Sequence, residues 1–454
     1  MRKERLSKHV NPFQGNGEIS PEKPYAPADT WHMIKGLTGN TTPAAVLPFG
    51  KYSCLAYDAA YPSGYGINKL NSGGPIEKLY PEKRFIGLSH FHHSGVGGIK
   101  KYYNYALTIP FYGDLPDYSP SVIRTEEAIP GYYGVGIDDI TAETTVSSKI
   151  VCHRYRFDKE SGSLFVDFAN NGLYDARTRG TAGGSVRVID ERNVLAEIVL
   201  EGVKIWFRVR FVGGKMDCLV KGIEKYDCAE LTLEADSQTH FGCLLRTEKD
   251  VEVRLAASFV SAEHAEMLLS GDERPFEEIR KAAEEIWEQH LSKVEIETDD
   301  ARELEIFYSN LYHTLIKPCD YTDEAFLLRE REGAFVTDIA TMWDVYKTQL
   351  PFIFMLYPNI AETFIKTLER IGEEQGFFPH CVLLSDNLQI EALQARMLAE
   401  YSICDAFYRN IRADYQKLLE LSEMDGARFE KSQEGDTQFA SHILDMAEIG
   451  RAHV

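Results

Sequence analysis

Between Asn11 and Val260 apolar and polar positions alternate with a period of two. In KIVCHRYRF, Val151, His153, Tyr155 and Phe157 fall on one side, and Cys152, Arg154 and Arg156 on the other. In VKIWFRVRFV, Ile205, Phe207 and Val209 alternate with Lys204, Arg208 and Arg210. SLFVDFAN and DVEVRLAASFV repeat the pattern, and Gly-rich breaks such as GGS and GGK separate the runs. Successive side chains of a strand point to opposite faces, so this spacing predicts strands with one buried face. Many such runs with almost no helical pattern predict a large antiparallel β-sandwich over residues 1–258.

After residue 260 the period changes. The charged, Ala- and Glu-rich stretch from Ser261 to Glu295 reads as helical, and residues 259–297 are expected to form a connector. DDARELEIFYSNLYHTLIKP then places Leu304, Phe307, Tyr308, Leu311, Tyr312 and Leu315 at steps of three and four. Asp300 and Glu303 stand at capping-box spacing at its start. PNIAETFIKTLERI and QIEALQARMLAEYSICDAFYRNI continue the helical pattern, and the loops between hold TMWDVYKTQLP and GFFPHCVLLSDN. Residues 298–447 are therefore expected to be the first, incomplete part of an (α/α)6 barrel. The fold class is multidomain, β then α.

Bulk properties narrow the function. At 454 residues the chain is too long for one ordinary core, so two or three domains are expected. A net charge of −21 argues against nucleic acid and anionic membranes as partners. No apolar run reaches the roughly 18 residues that a spanning helix needs. MRKERLSKHVNPF has no apolar stretch behind its basic residues, so no signal peptide is read and the chain as written is expected to be cytoplasmic. A secreted or periplasmic location is the alternative if the start lies elsewhere. The eight Cys residues show no CxxC spacing and are expected to be buried thiols. The last seven residues, EIGRAHV, back-translate into a common short-read sequencing adapter followed by a stop codon. Residues 448–454 are accordingly expected to be a non-native tail on a gene cut near Ala447.

Four stretches could carry chemistry. In GLSHFHHSGVGG, His90 and His92 share a face if the segment is extended. That pair could ligate a metal, but hydrogen bonding at a strand end is the more ordinary use, and no third ligand is evident nearby. GNTTPAAVLPFG places Asn40 and Thr42 in a turn with polar side chains. In TMWDVYKTQLP, the Trp343 face could stack on a sugar ring, the Asp344 carboxylate could accept from two hydroxyls, and Lys347 could donate. The same residues also suit a packed helix start with a first-turn acid, and spacing alone favours packing. Asp386, in PHCVLLSDNLQIE, is either a helix N-cap or a group facing a pocket.

Taken in order, these stretches resemble glycoside hydrolase family 92, the calcium-dependent exo-acting α-mannosidases. VNPFQGN, GNTTPAAVLPFG, Ser63 to Tyr65, GLSHFHHSGVGG, MWDVYKTQLPFIFMLYP and ICDAFYRNI match the family's motifs between about residue 10 and residue 411. Thr42 replaces the family's usual Phe, and Lys347 its usual Arg, which removes a planar bidentate donor. The stretch Pro379 to Ala395 departs from the commoner pattern. The resemblance implies removal of terminal α-linked mannose from an oligosaccharide or glycan, by an inverting single displacement with calcium as cofactor. It also implies that the acid, the base and most calcium ligands lie beyond residue 454. This chain is then expected to hold none of them and to be inactive alone. The resemblance leaves Asp344, Trp343 and Lys347, with Asn40, Thr42, His90, His92 and Asp386 around them, as substrate-binding candidates.

Two other functions are compatible with the sequence. One is a non-catalytic carbohydrate-binding protein. The other is a glycoside phosphorylase of related architecture, which the acidic balance and the lack of a basic phosphate cluster make weaker.

Overall fold

The structure is a computed structural model. It describes residues 5–17, 41–58, 65–71, 74–79, 81–91, 105–116, 118–159, 161–169, 182–200, 202–339, 342–379, 381–384 and 397–433. The side chains of residues 68–80, Trp343, Asp344, Glu248 and residues 428–433 lie outside that description. The chain divides into two compact units, Met1–Ala340 with Val382–Asn387, and Thr341–Cys381 with Leu388–Val454.

The first unit is β-rich. Its described strands include one hydrogen-bonded sheet of 14 strands. The central member is the strand Phe241–Ser258. Along one edge, residues 250–255 pair with Val151–Phe157 and residues 242–247 with Gly162–Asp167. Along its other edge it pairs with the long strand Val203–Lys221 from Trp206↔Ser258 to Lys221↔Phe241. All these ladders are antiparallel. The expected alternation is visible as burial: Ile205, Phe207 and Val209 are fully enclosed while Lys204 is exposed. The register shifts at Gly213, which has φ +89°, and a Cβ there would sit 2.5 Å from the Asp250 carbonyl oxygen. Only glycine suits such a bulge.

Two helices cover one region of this sheet. Helix α1, Ala262–Ser270, starts at Ser261, whose hydroxyl accepts from the His264 amide at 3.1 Å. Helix α2, Phe276–Leu291, buries Phe276, Ile279, Ala283, Trp287 and Leu291, steps of three and four that form one stripe. Phe276 and Ile279 join Tyr132, Ile150, Cys152, Ala256 and Leu269 in one apolar cluster. Helix α3, Ala301–Thr314, is capped by Asp300, which accepts from the Arg302 amide at 2.8 Å. The expected capping box is only half formed, because Glu303 accepts from the Thr298 hydroxyl at 2.7 Å instead.

The second unit is helical: α4 (Met342–Val345), α5 (Gln349–Leu356), α6 (Pro358–Gln375), α7 (Leu398–Tyr408) and α8 (Tyr415–Gln433). Pro358 opens α6 and Gly376, at φ +74°, closes it. Phe354 of α5 meets Phe364 of α6 edge-on at 5.6 Å. Gly372 lets α6 approach Phe378 and Leu421 of α8 closely, since a Cβ there would already touch Leu421 at 3.1 Å. The helix expected from Gln389 is seen from Leu398; residues 388–396 lie outside the described residues. All eight thiols are free; six are buried as expected, while Cys228 and Cys404 are exposed. Among the described residues no helix is long and apolar enough to cross a membrane.

Candidate functional site

The first unit holds the early motifs in a tightly braced cluster. Residues 41–50 are described in full. Trp287 Nε1 donates to the Val46 carbonyl at 2.6 Å and the Tyr312 hydroxyl donates to the Ala44 carbonyl at 3.0 Å. The two rings pack on each other with centroids 4.4 Å apart. The Phe49 amide donates to Leu315 O, and Phe49 O accepts from the Asp320 amide, each at 2.8 Å. Helices α2 and α3 thus fix this loop by its backbone. At the other end the Thr41 hydroxyl donates to Gln14 O at 2.6 Å, and Asn16 Nδ2 donates to Thr41 O at 2.9 Å. Gly15, at φ +82°, makes this approach possible, because a Cβ would lie 2.7 Å from Thr41 Oγ1. Thr42 is fully buried. Asn40 lies outside the described residues.

Beside this cluster is a cavity of about 440 Å³ lined by Phe13, Asn16, Gly66, Ile67, Glu82 and Lys83 among others. Lys83 Nζ lies 5.1 Å from the Phe13 ring centroid. It donates to the Tyr65 hydroxyl at 2.7 Å and to Glu126 Oε2 at 2.9 Å. Glu126 Oε1 also accepts from the Tyr65 and Tyr133 hydroxyls at 2.6 and 2.7 Å. Burial, and then the Glu126 charge, push both phenols well above their ordinary pKa, so both remain hydrogen-bond donors. Glu126 is therefore saturated by three donors and acts as an anchor, while Lys83 brings a cation to the cavity wall. Tyr65 belongs to a motif read in the sequence, but Lys83, Glu126 and Tyr133 carried no local signal.

His90 is fully enclosed. Its Nδ1 lies 2.9 Å from the Tyr105 carbonyl and its Nε2 lies 2.8 Å from His153 Nε2. The Tyr105 hydroxyl in turn donates to Leu384 O at 3.1 Å. Burial lowers the His90 pKa to about 4, only partly offset by the Tyr105 carbonyl, and burial then His90 itself hold His153 well below the ordinary range. Both rings are thus neutral near pH 7. The strand carrying this motif runs very close to its neighbour, since a Cβ at Gly87 would be 2.5 Å from Thr108 O. His92, and with it the expected His90–His92 face, lies outside the described residues.

A second interior group was not visible in the sequence. Lys51 Nζ donates to Glu324 Oε1 at 2.6 Å and to Ala257 O at 2.8 Å. Glu324 Oε2 accepts from the Phe259 amide at 2.9 Å. Both side chains are under a tenth exposed. Burial pulls the Lys51 pKa down, but Glu324 and Tyr52 outweigh it and leave the ammonium above its ordinary value. The partners stand 273 residues apart, and nothing local to either announces the other.

In the second unit Trp343 and Asp344 occupy consecutive positions of α4, and their side chains are outside the description. Lys347 follows in the turn after α4 and is exposed, with Nζ 5.8 Å from the Tyr346 ring. Tyr346 packs edge-on against Tyr401 at 5.1 Å. Met342 is fully buried and anchors the start of α4. Asp386 lies outside the described residues. Among the described residues no three His, Cys, Asp or Glu side chains come together as a metal-binding group. They do not form the calcium site that the resemblance implies.

Residues 9–256 match the model of the glycosyl hydrolase family 92 N-terminal domain, and residues 263–442 that of the glycosyl hydrolase family 92 catalytic domain. The chain belongs to glycosyl hydrolase family 92. An uncharacterised secreted glycosidase from Arthroderma benhamiae is 22% identical over 356 residues, 68% of this chain and 44% of that protein. A family 92 alpha-mannosidase from Bacteroides thetaiotaomicron is similar in structure with a TM-score of 0.71 and 19% identity, over 93% of this chain and 57% of that one. The same enzyme in complex with mannoimidazole matches with a TM-score of 0.71, also at 19% identity, over 93% of this chain and 55% of that one. A family 92 inverting mannosidase from the same bacterium gives 0.66 at 19% identity, over 93% and 55%. These likenesses show a shared fold. This family 92 chain spans about half the length of the relatives it matches.

Proposed function

We propose that this chain is the sugar-holding N-terminal part of an exo-acting α-mannosidase. The observation that carries the reading is the order of the two family 92 domains, residues 9–256 then 263–442. Similarity in fold to mannosidases over 93% of the chain supports mannose as the sugar. In this reading residues 1–258 are a β-sandwich, 259–297 a connector and 298–447 the opening part of an (α/α)6 barrel.

Asp344 then accepts hydrogen bonds from two neighbouring hydroxyls, Trp343 packs its face on the C–H surface of the ring, and Lys347 donates from the side. Asn40, His92 and Asp386 are further candidates for polar contacts with the sugar, while Thr42, fully buried, steadies its own turn. Because both ring nitrogens of His90 face protein, its part is to hold its loop in place. Cleavage is a single displacement with inversion. A carboxylic acid gives its proton to the leaving oxygen while a carboxylate takes one from the water that attacks the opposite face. Such carboxyls stand roughly 6.5–9.5 Å apart to admit the water. Both are proposed to lie in the part of the catalytic domain outside this chain, which alone is inactive. The secreted relative supports an exported enzyme over a cytoplasmic one.

The test is mannose release from α-mannobiose and an aryl α-mannoside by the product of the complete locus, with and without a chelator. Release of the β-anomer first, chelator sensitivity and a large loss in Asp344→Ala are expected. A well-folded product that releases no mannose overturns the reading.

A further inference from the structure

A second cavity, of about 420 Å³, lies on the β-rich unit and shares no lining residue with the one beside Lys83. Its volume falls in the range of about 300–1,000 Å³ usual for small-molecule sites. Its floor is apolar: Phe85, Ile109, Ile137 and Ile140 are each less than a tenth exposed. One wall is a preorganised polar triad. The Tyr112 hydroxyl donates to Asp139 O at 3.0 Å and accepts from the Lys159 amide at 3.2 Å. Lys159 Nζ pairs with Asp139 Oδ2 at 2.9 Å and sits 4.3 Å from the Tyr112 ring centroid. Asp138 faces the cavity from the same hairpin, held at φ 40°, with its carboxylate 3.7 Å from Arg124. Tyr118 also lines the cavity; its ring is stacked on His240 at 3.6 Å, and His240 is fixed by the fully buried Asp167 at 2.6 Å.

These surfaces match a pyranose. Its C–H face wants an apolar or aromatic surface, and its hydroxyl edge wants fixed carboxylates, hydroxyls and a cation. The exposed carboxylates of Asp138 and Asp139 and the net charge of −21 disfavour anionic ligands. We infer that this cleft is an accessory saccharide site that holds a neutral hexose unit of the glycan by Tyr112, Asp138, Asp139 and Lys159. The inference rests on the reading that this protein meets glycans. It adds a hold on the substrate that takes no part in bond cleavage.

The test is hydrogen exchange on the protein from the complete locus, with and without saturating methyl α-mannoside and methyl α-glucoside. Mannoside-dependent protection of peptides covering 108–121 and 137–140 is expected in the wild type and in Asp344→Ala. In Asp139→Asn combined with Lys159→Ala, that protection should need about tenfold more sugar, while hydrolysis of a short aryl mannoside stays within about twofold. Protection confined to 341–348, or none at all with hydrolysis intact, overturns the accessory site and leaves the mannosidase reading standing. Neither protection nor hydrolysis from a folded protein removes both.

Discussion

His153 Nε2 faces His90 Nε2 across 2.8 Å, and His90 Nδ1 faces the Tyr105 carbonyl. The carbonyl requires a proton on His90 Nδ1, so His90 Nε2 is a lone pair and His153 Nε2 carries the N–H. His153 Nδ1 is left buried without a hydrogen-bond partner. Protonating His90 Nε2 would set two N–H groups against each other. The pair therefore holds together only while both rings are neutral.

The first prediction follows from that arrangement. The His90 pKa falls from the ordinary 6.5 to about 4, and that of His153 falls further. The unfolded chain binds more protons in this window, so stability is full above pH 6.5 and is lost as pH falls toward 4. Each such group contributes a slope of up to about 1.4 kcal/mol per pH unit. Urea midpoints of the β-rich unit should drop steeply between these pH values. His153→Phe should flatten the slope while costing about 1–3 kcal/mol at pH 7, because His90 Nε2 loses its donor. An unchanged slope in that variant would sink the assignment.

Glu400 predicts the opposite sign in the helical unit. It lies on α7, and burial, then Asp425 of α8, raises its pKa from 4.5 to about 7. The folded state therefore binds the extra proton. Its contribution is full below pH 4.5 and disappears as pH rises through 7. Glu400→Gln keeps the neutral shape, and thermal melts of the variant should gain on the wild type above pH 7 and match it near pH 4.5. Equal differences at both pH values would show that the group does not titrate as stated.

The buried Lys51–Glu324 pair ties two distant segments to the end of the strand Phe241–Ser258, through the Ala257 carbonyl and the Phe259 amide. Lys51→Met leaves a buried carboxylate without its cation and should cost about 3–5 kcal/mol in guanidinium unfolding. Lys51→Met combined with Glu324→Gln should recover a good part of that loss. A double variant as unstable as the single one would mean that the charge is not what matters.

Trp287 holds residues 41–50 through the Val46 carbonyl at 2.6 Å. Trp287→Phe keeps the packing on Tyr312 but strands that acceptor, at about 1–3 kcal/mol. In the complete enzyme KM for an aryl mannoside should rise several-fold. A change in kcat with KM untouched would argue that the loop does not touch the ground-state sugar.

The helical unit keeps large apolar side chains in water. Met355, Met397, Tyr401, Phe407 and Met424 are 59, 49, 46, 55 and 54% exposed. This chain expressed alone should bind a hydrophobic dye through that unit and lose its helical signal before its β signal on heating. Coincident melts by both signals, without dye binding, would contradict this.

Much of the architecture was readable in the residues. Alternation survives as alternating burial at Tyr155–Phe157 and Val203–Phe207, but Cys152 and Arg208, read on the polar side, are buried too, Cys152 because helix α2 covers that face of the sheet. Asp300 and Pro358 mark helix starts for local reasons, a side-chain cap and a missing amide. The interior polar groups were not readable. His90 meets His153 from 63 residues away, and Lys51 meets Glu324 from 273. Such pairs are set by strand order and helix docking, which no local spacing encodes. Lys83, Glu126 and Tyr133 were missed for the same reason.

Strand Phe241–Ser258 serves three neighbours, and its pairing with Val203–Lys221 runs almost end to end. A sheet built this way has no seam. A break in Phe241–Ser258 is therefore felt by three strands at once, whereas a change at a hairpin tip such as Asp138–Asp139 leaves every ladder of that strand in place.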